Sequence, residues 1–177
     1  MIEVQDNYFQ VFDFEEAFDL DLDALTQKYR QLQSEVHPDK FADGSETERM
    51  RAVQLTSYLN QAYESLRLPI KRAAYLLTLA GEDVENAAQA DLPMELLMEQ
   101  MQLREQLDEL PADESALPTL EALKNKVKLR LIARREDFST AIKAPDLTVA
   151  RRLFHEMQFL EKLLAEINSG EERRLGY

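Results

Sequence analysis

Few side chains in this sequence could do chemistry, and the densest group is His37-Pro38-Asp39. An imidazole and a carboxylate on one short loop could form a catalytic dyad, but a dyad needs a nucleophile and a substrate pocket. The chain has no cysteine, and none of its Ser or Thr residues falls in a recognisable nucleophile motif. A small hydrolase using His37 and Asp39 is therefore the remote alternative. Recognition suits the three residues better. Pro38 fixes its own backbone angle and restricts that of His37, so the loop is ordered at low entropic cost. Asp39 can accept a charge-assisted hydrogen bond from an arginine, and His37 can donate from a ring nitrogen. The second histidine, His155, sits between Phe154 and Glu156 with no Cys or second His nearby, so no metal site is expected there. Glu95, Glu99 and Glu105 read as a solvated acidic helix face rather than iron ligands. Asp19, Asp21 and Asp23 suggest a calcium loop, but its sixth and twelfth positions would be Ala24 and Arg30 instead of glycine and glutamate. An acidic helix start, favourable to the helix dipole, replaces that reading.

Two helices must position the His-Pro-Asp loop. Leu22, Leu25, Tyr29, Leu32 and Val36 recur at alternating spacings of three and four, the signature of one helix face. The residue before a proline is pushed out of the helical region, so this helix ends at or before His37. Ser45 followed by Glu48 is a capping box that starts the next helix, with Ala52, Thr56, Leu59, Tyr63 and Leu66 on its stripe and Val53 and Asn60 beside it. The pattern predicts an antiparallel hairpin. Tyr8, Phe9, Val11, Phe12 and Phe14 predict a short first helix packed across it as core. Ile70, Ala73, Ala74 and Leu77 predict a fourth helix after Pro69, reaching Ala80.

Composition agrees with an all-α protein. Of 177 residues, 45% are hydrophobic and 31% charged, with four glycines and six prolines, and no stretch alternates as a strand would. The net charge of −13 leaves no basic surface for nucleic acid and disfavours anionic membranes. No apolar run reaches membrane-spanning length, and the first six residues have no apolar signal core. A soluble cytoplasmic protein without a cofactor is the expectation.

After a polar, alanine-rich connector over 81–91, three helices are predicted at 92–110, 118–143 and 145–169, punctuated by Pro111 and Pro145. Leu120, Leu123, Val127, Leu131, Phe138 and Ile142 share a stripe on the middle one. Ala150, Leu153, Met157, Leu160, Leu164 and Ile167 share a stripe on the last, with Gly170 as its terminator and 171–177 as a frayed tail. Short connections favour an antiparallel three-helix bundle. The first of these helices is anomalous. Leu96, Leu103, Leu107 and Leu110 cluster within roughly 40° of one direction. Met94, Leu97, Met98 and Met101 lie roughly 100–200° away, with Glu105 continuing their line. Phe159 is likewise displaced by roughly 120° from the last helix's stripe. Exposed Met, Leu and Phe together suggest either an adaptable protein-binding patch or a surface that the first domain packs over.

The hairpin with its His-Pro-Asp loop, Tyr29-Arg30 before it and Asn60, Ala62, Tyr63 and Leu66 after it, resembles the J domain of the DnaJ co-chaperone superfamily. More specifically, Asn7-Tyr8-Phe9, the run from His37 to Phe41, Leu97-Met98-Glu99-Gln100 and Phe159-Leu160-Glu161-Lys162-Leu163 resemble the HscB-type co-chaperones of iron–sulfur cluster assembly, over nearly the whole chain. The resemblance implies a J domain over 1–80 that stimulates ATP hydrolysis by a specialised heat-shock chaperone of the HscA type. Lys28, Tyr29, Arg30, His37, Pro38, Asp39 and Lys40 would carry that contact. It also implies a bundle over 92–170 that binds the cluster scaffold protein, of the IscU type, through Met94, Leu97, Met98, Met101 and Phe159, with Glu105 and Glu109 at an acidic rim. Gln102 stands where a glutamate is usual, and Gln31 and Glu35 make the docking helix only weakly basic, which favours a dedicated chaperone. A J-domain co-chaperone for another client, using the same patch, is the nearer alternative.

Overall fold

The computed structural model describes residues 7–84, 93–144 and 146–176. All regular elements among them are helical: α1 (Tyr8–Val11), α2 (Leu22–Val36), α3 (Glu46–Arg67), α4 (Pro69–Leu79), α5 (Met94–Asp108), α6 (Leu117–Lys143) and α7 (Leu147–Leu175), with 3-10 turns at Pro38–Phe41 and Glu114–Ala116. They form two compact units, Met1–Leu79 and Ala80–Tyr177.

In the first unit each helix end carries the chemistry that its backbone requires. Asp21 caps α2 by accepting from the amides of Asp23 and Ala24, at 3.0 and 2.9 Å, so the acidic run is a helix start. Ser45 and Glu48 close the capping box of α3. The Ser45 backbone and hydroxyl hydrogen bonds hold the Glu48 carboxyl below its usual range. Leu68, extended as a residue before proline must be, ends α3, and Pro69 opens α4. The α2–α3 seam is partly polar: the Tyr29 and Tyr63 rings stack at 4.0 Å, and the Thr56 hydroxyl bonds the Val36 carbonyl. Beneath it Phe9, Val11, Phe12, Phe18, Leu25, Leu59, Leu66 and Leu77 are buried, so the aromatic opening is core. Asp13 turns the chain after α1 at φ 57°, a left-handed conformation that a short polar side chain tolerates.

In the second unit α6 and α7 run antiparallel along their lengths, as the pairs Lys124–Glu171 and Arg130–Glu156 require. Leu120, Val127, Leu131 and Phe138 of α6 meet Leu153, Met157, Leu160, Leu163 and Ile167 of α7 in a buried core. Phe154 is buried too, so the α7 stripe is wider than its sequence pattern suggests. α5 lies parallel to α7, with Arg104 reaching Glu166 at 3.7 Å and Arg174 donating to the Pro111 carbonyl at 2.8 Å.

Two boundaries differ from expectation. Gly170 does not end the last helix: α7 continues to Leu175, and Gly176 caps it in the left-handed conformation at φ 79°. Contacts outweigh the glycine's poor propensity, since Glu171 pairs with Lys124 at 2.5 Å and Arg174 binds the Gly170 and Pro111 carbonyls. The segment expected as a frayed tail is thus helical up to Leu175. Glu82, expected in a featureless connector, pairs with Arg151 of α7 at 3.0 Å. The rest of that connector from residue 85, and Leu92 and Pro145, lie outside the described residues.

A Cβ added at Gly170 would meet the end of the long Arg174 side chain, at 3.2 Å, which must give by a few tenths of an ångström, and Leu120 at 3.9 Å. Gly170→Ala is therefore expected to stabilise the second unit by about 0.5 kcal/mol through helix propensity. Urea denaturation followed by circular dichroism checks this.

Candidate functional site

The His-Pro-Asp loop is built from backbone geometry outward. His37 caps α2 with φ −59° and ψ 130°, outside the helical region, and at the same time caps the 3-10 turn Pro38–Phe41. Its Nδ1 accepts the Asp39 amide at 3.3 Å, while an Asp39 carboxylate oxygen lies 3.4 Å away. A neutral ring that accepts at Nδ1 must carry its proton on Nε2, so the outward nitrogen is a donor. In that tautomer Nδ1 has no proton for Asp39 to hold, the reverse of what a hydrolytic dyad uses. The Asp39 side chain is 90% exposed, which leaves the carboxylate available to a cation from another molecule.

The basic residues near this loop differ in availability. Arg30 and Lys40 are exposed. Lys28 is half-buried and bonded to Asp13 at 2.6 Å, so part of its charge is neutralised within the fold. Tyr29 sits in the seam between α2 and α3. Its hydroxyl donates to Asn60 and accepts from Gln33, at 2.9 and 3.0 Å. Lys28 and Tyr29 therefore also have work inside the fold, whereas Arg30, Asp39 and Lys40 face outward.

In the second unit, α5 separates its two stripes as the periodicity requires. Leu103 is buried against the bundle, whereas Met94, Met98 and Met101 are 69%, 54% and 72% exposed. Glu105 and Glu109 are exposed beside them, and Leu97 and Phe159 are half-buried. Three polarisable, unbranched side chains on one helix face make an adaptable apolar surface.

The core-facing side of α5 holds a feature that the sequence pattern obscured. Glu99 is only partly solvated: its carboxylate accepts from the Arg130 guanidinium at 2.5 Å. Arg130 also donates to Glu156 at 2.9 and 2.5 Å, and Glu156 is only 5% exposed. Arg134 approaches the other Glu156 oxygen at 3.8 Å and pairs with Asp137 at 3.1 Å. Burial opposes the charge on Arg130, but its bonds to Glu99 and Glu156 outweigh that and raise its pKa. A signal existed: at about 100° per residue Glu99 and Gln100 flank the stripe of Leu96, Leu103 and Leu107, one on each side, at the edge of the face a bundle must bury. Glu95 and Glu105 are exposed as expected. Among the described residues no three His, Asp or Glu side chains group as a metal site, and no helix is long and apolar enough to cross a membrane.

Comparison with known proteins bears on both units. The chain is similar in structure to the chaperone HscB from Vibrio cholerae, with 33% sequence identity and a TM-score of 0.86, covering 95% of this chain and 99% of that one. The chain belongs to the HscB family of co-chaperones. The human co-chaperone HscB is similar at 27% identity and a TM-score of 0.87, over 95% of this chain and 83% of that chain. Residues 92–168 match the family model described as the HSCB C-terminal oligomerisation domain. The helical hairpin with its loop and the three-helix bundle are thus the two parts of an HscB-type fold.

The place of Tyr29 in the seam has a measurable consequence. Tyr29→Phe keeps the stacked ring and removes the hydroxyl that joins Asn60 and Gln33. It is expected to cost about 1 kcal/mol of stability in the first unit, the usual net worth of such a bond. Chemical denaturation of the variant beside the parent checks this.

Proposed function

We propose that the protein is an adaptor with no active site of its own, joining a dedicated heat-shock chaperone of the HscA type to the iron–sulfur scaffold protein of the IscU type. On the chaperone side, His37, Asp39, Arg30 and Lys40 make the contact, while Pro38, Tyr29 and Lys28 hold that surface in shape. Engagement stimulates ATP hydrolysis by the chaperone. On the client side, Met94, Leu97, Met98, Met101 and Phe159 receive the scaffold, with Glu105 and Glu109 at the rim.

The observation that carries this function is the exposed methionine stripe of α5, opposite buried Leu103, in a chain of the HscB family. An apolar surface kept in water by an otherwise well-packed bundle is a binding surface by its energetics. The exposed Asp39 carboxylate and the ordered backbone at Pro38 support the chaperone contact.

Each unit has its own test. His37→Gln removes the imidazole from a half-exposed position, so folding should persist while stimulation of the chaperone's ATPase is lost. Stimulation equal to the parent's would remove the assignment of the loop. Met98→Ala should change stability by less than about 0.5 kcal/mol, as surface substitutions do. It should weaken scaffold binding by about 2 kcal/mol, the scale of an interface hot spot. Calorimetric titration with the scaffold and a thermal melt measure the two, and a parent protein that binds another client but not the scaffold redirects the function to that client.

A further inference from the structure

Helices of a small bundle ordinarily hold one another by apolar layers, and α5 departs from this at the level of its exposed methionines. Among its side chains only Leu103 is buried, and Leu96, Leu97 and Leu107 are half-buried, as is Leu110 just beyond its end. Where another apolar layer would stand, Glu99 of α5, Arg130 of α6 and Glu156 of α7 meet instead. Arg130 is the one member that touches both others, so it ties all three helices at one height. Its two carboxylate partners are adjacent to the client surface. Glu99 directly follows Met98, and Phe159 lies three residues beyond Glu156, close to one helical turn.

Ion clusters of this kind are weak sources of stability, because desolvation offsets much of the attraction between the charges. They are selective about geometry. A planar guanidinium satisfies two carboxylates only when both approach along its fork, whereas apolar side chains tolerate sliding and rotation. A helix held by few buried side chains and one such fork takes its rotation and height from the fork.

We propose that Arg130 is the positioning residue of the client surface: by gripping Glu99 and Glu156 together it sets α5 against α7, and so holds the methionine stripe in fixed relation to Phe159. The inference rests on the reading of that stripe as the scaffold-binding surface, and the experiment separates the two. Glu99, 43% exposed at its side chain, can be neutralised at little cost to the bundle, whereas Glu156 is buried and relies on Arg130, with Arg134 3.8 Å from its second oxygen. The fork's contribution lies in placement.

The methionine methyl groups report placement directly in the full-length protein. Carbon–proton correlation spectra of the parent, Glu99→Gln, Arg130→Gln and the double variant give the positions of the Met94, Met98 and Met101 methyls without any client. Expected are shifted methyl signals in both single variants, with melting close to that of the parent for Glu99→Gln and lower for Arg130→Gln, which leaves Glu156 buried without its main partner. In calorimetric titrations with the apo scaffold protein, each single variant should bind on the order of fivefold more weakly, and the double variant no more weakly than either, because both remove one interaction. Arg130→Met combined with Glu156→Leu, which replaces the fork and its buried carboxylate by apolar bulk, should melt at or near the parent temperature and still lose affinity, an outcome a purely structural role does not give. Unchanged methyl spectra in both single variants, or affinity losses that simply add, overturn the positioning role. Met98→Ala runs beside them as the control on the surface itself. If it binds like the parent, the stripe is not the docking surface, and the methyl spectra still decide whether Arg130 places α5.

Discussion

The ion cluster at Arg130 takes the place of an apolar layer, and the second unit's surface follows from that exchange. A helix in a three-helix bundle buries one stripe and exposes the rest. α5 has charge on part of its buried side, at Glu99, and apolar bulk on its exposed side, at Met94, Met98 and Met101. Its polarity is thus partly inverted. Had hydrophobic burial alone oriented this helix, its methionines would compete with Leu103 for the core. The bond between Arg130 and Glu99 is made in the orientation that leaves them in water.

The first unit reaches a similar end by different means. Its recognition loop has almost no core: no residue of the Pro38–Phe41 turn is buried. Order comes from the restricted backbone at His37 and Pro38, from the Asp39 amide held by the His37 ring, and from the two helices that enter and leave. The α2–α3 seam, with its stacked tyrosines and bonded hydroxyls, keeps that entry fixed. Such a loop would cost little entropy to order on binding, and its Asp39 carboxylate is solvated. In both units a polar interaction sets direction and apolar packing supplies most of the stability.

Much of this was legible in the amino-acid order. Helix content, the hairpin around His37-Pro38-Asp39, the capping box at Ser45 and Glu48, and the two stripes of α5 all follow from local rules: period, propensity, proline geometry and capping. Those rules act between residues a few positions apart, so one strand of text contains them. The same is true of the motif runs by which the chain resembles its family.

What only the tertiary structure decided involves residues far apart in sequence. Glu99 looked like a solvated acid until Arg130 and Glu156 were brought beside it from two other helices. Gly170 looked like a terminator until Lys124 and the carbonyl of Pro111 gave the following turns their partners. Lys28 looked outward-facing until Asp13 claimed part of its charge. The physical reason is common to all of them. A charged or flexible side chain has no intrinsic inside or outside; the partner that meets it decides whether burial costs free energy or not, and that partner is chosen by the fold.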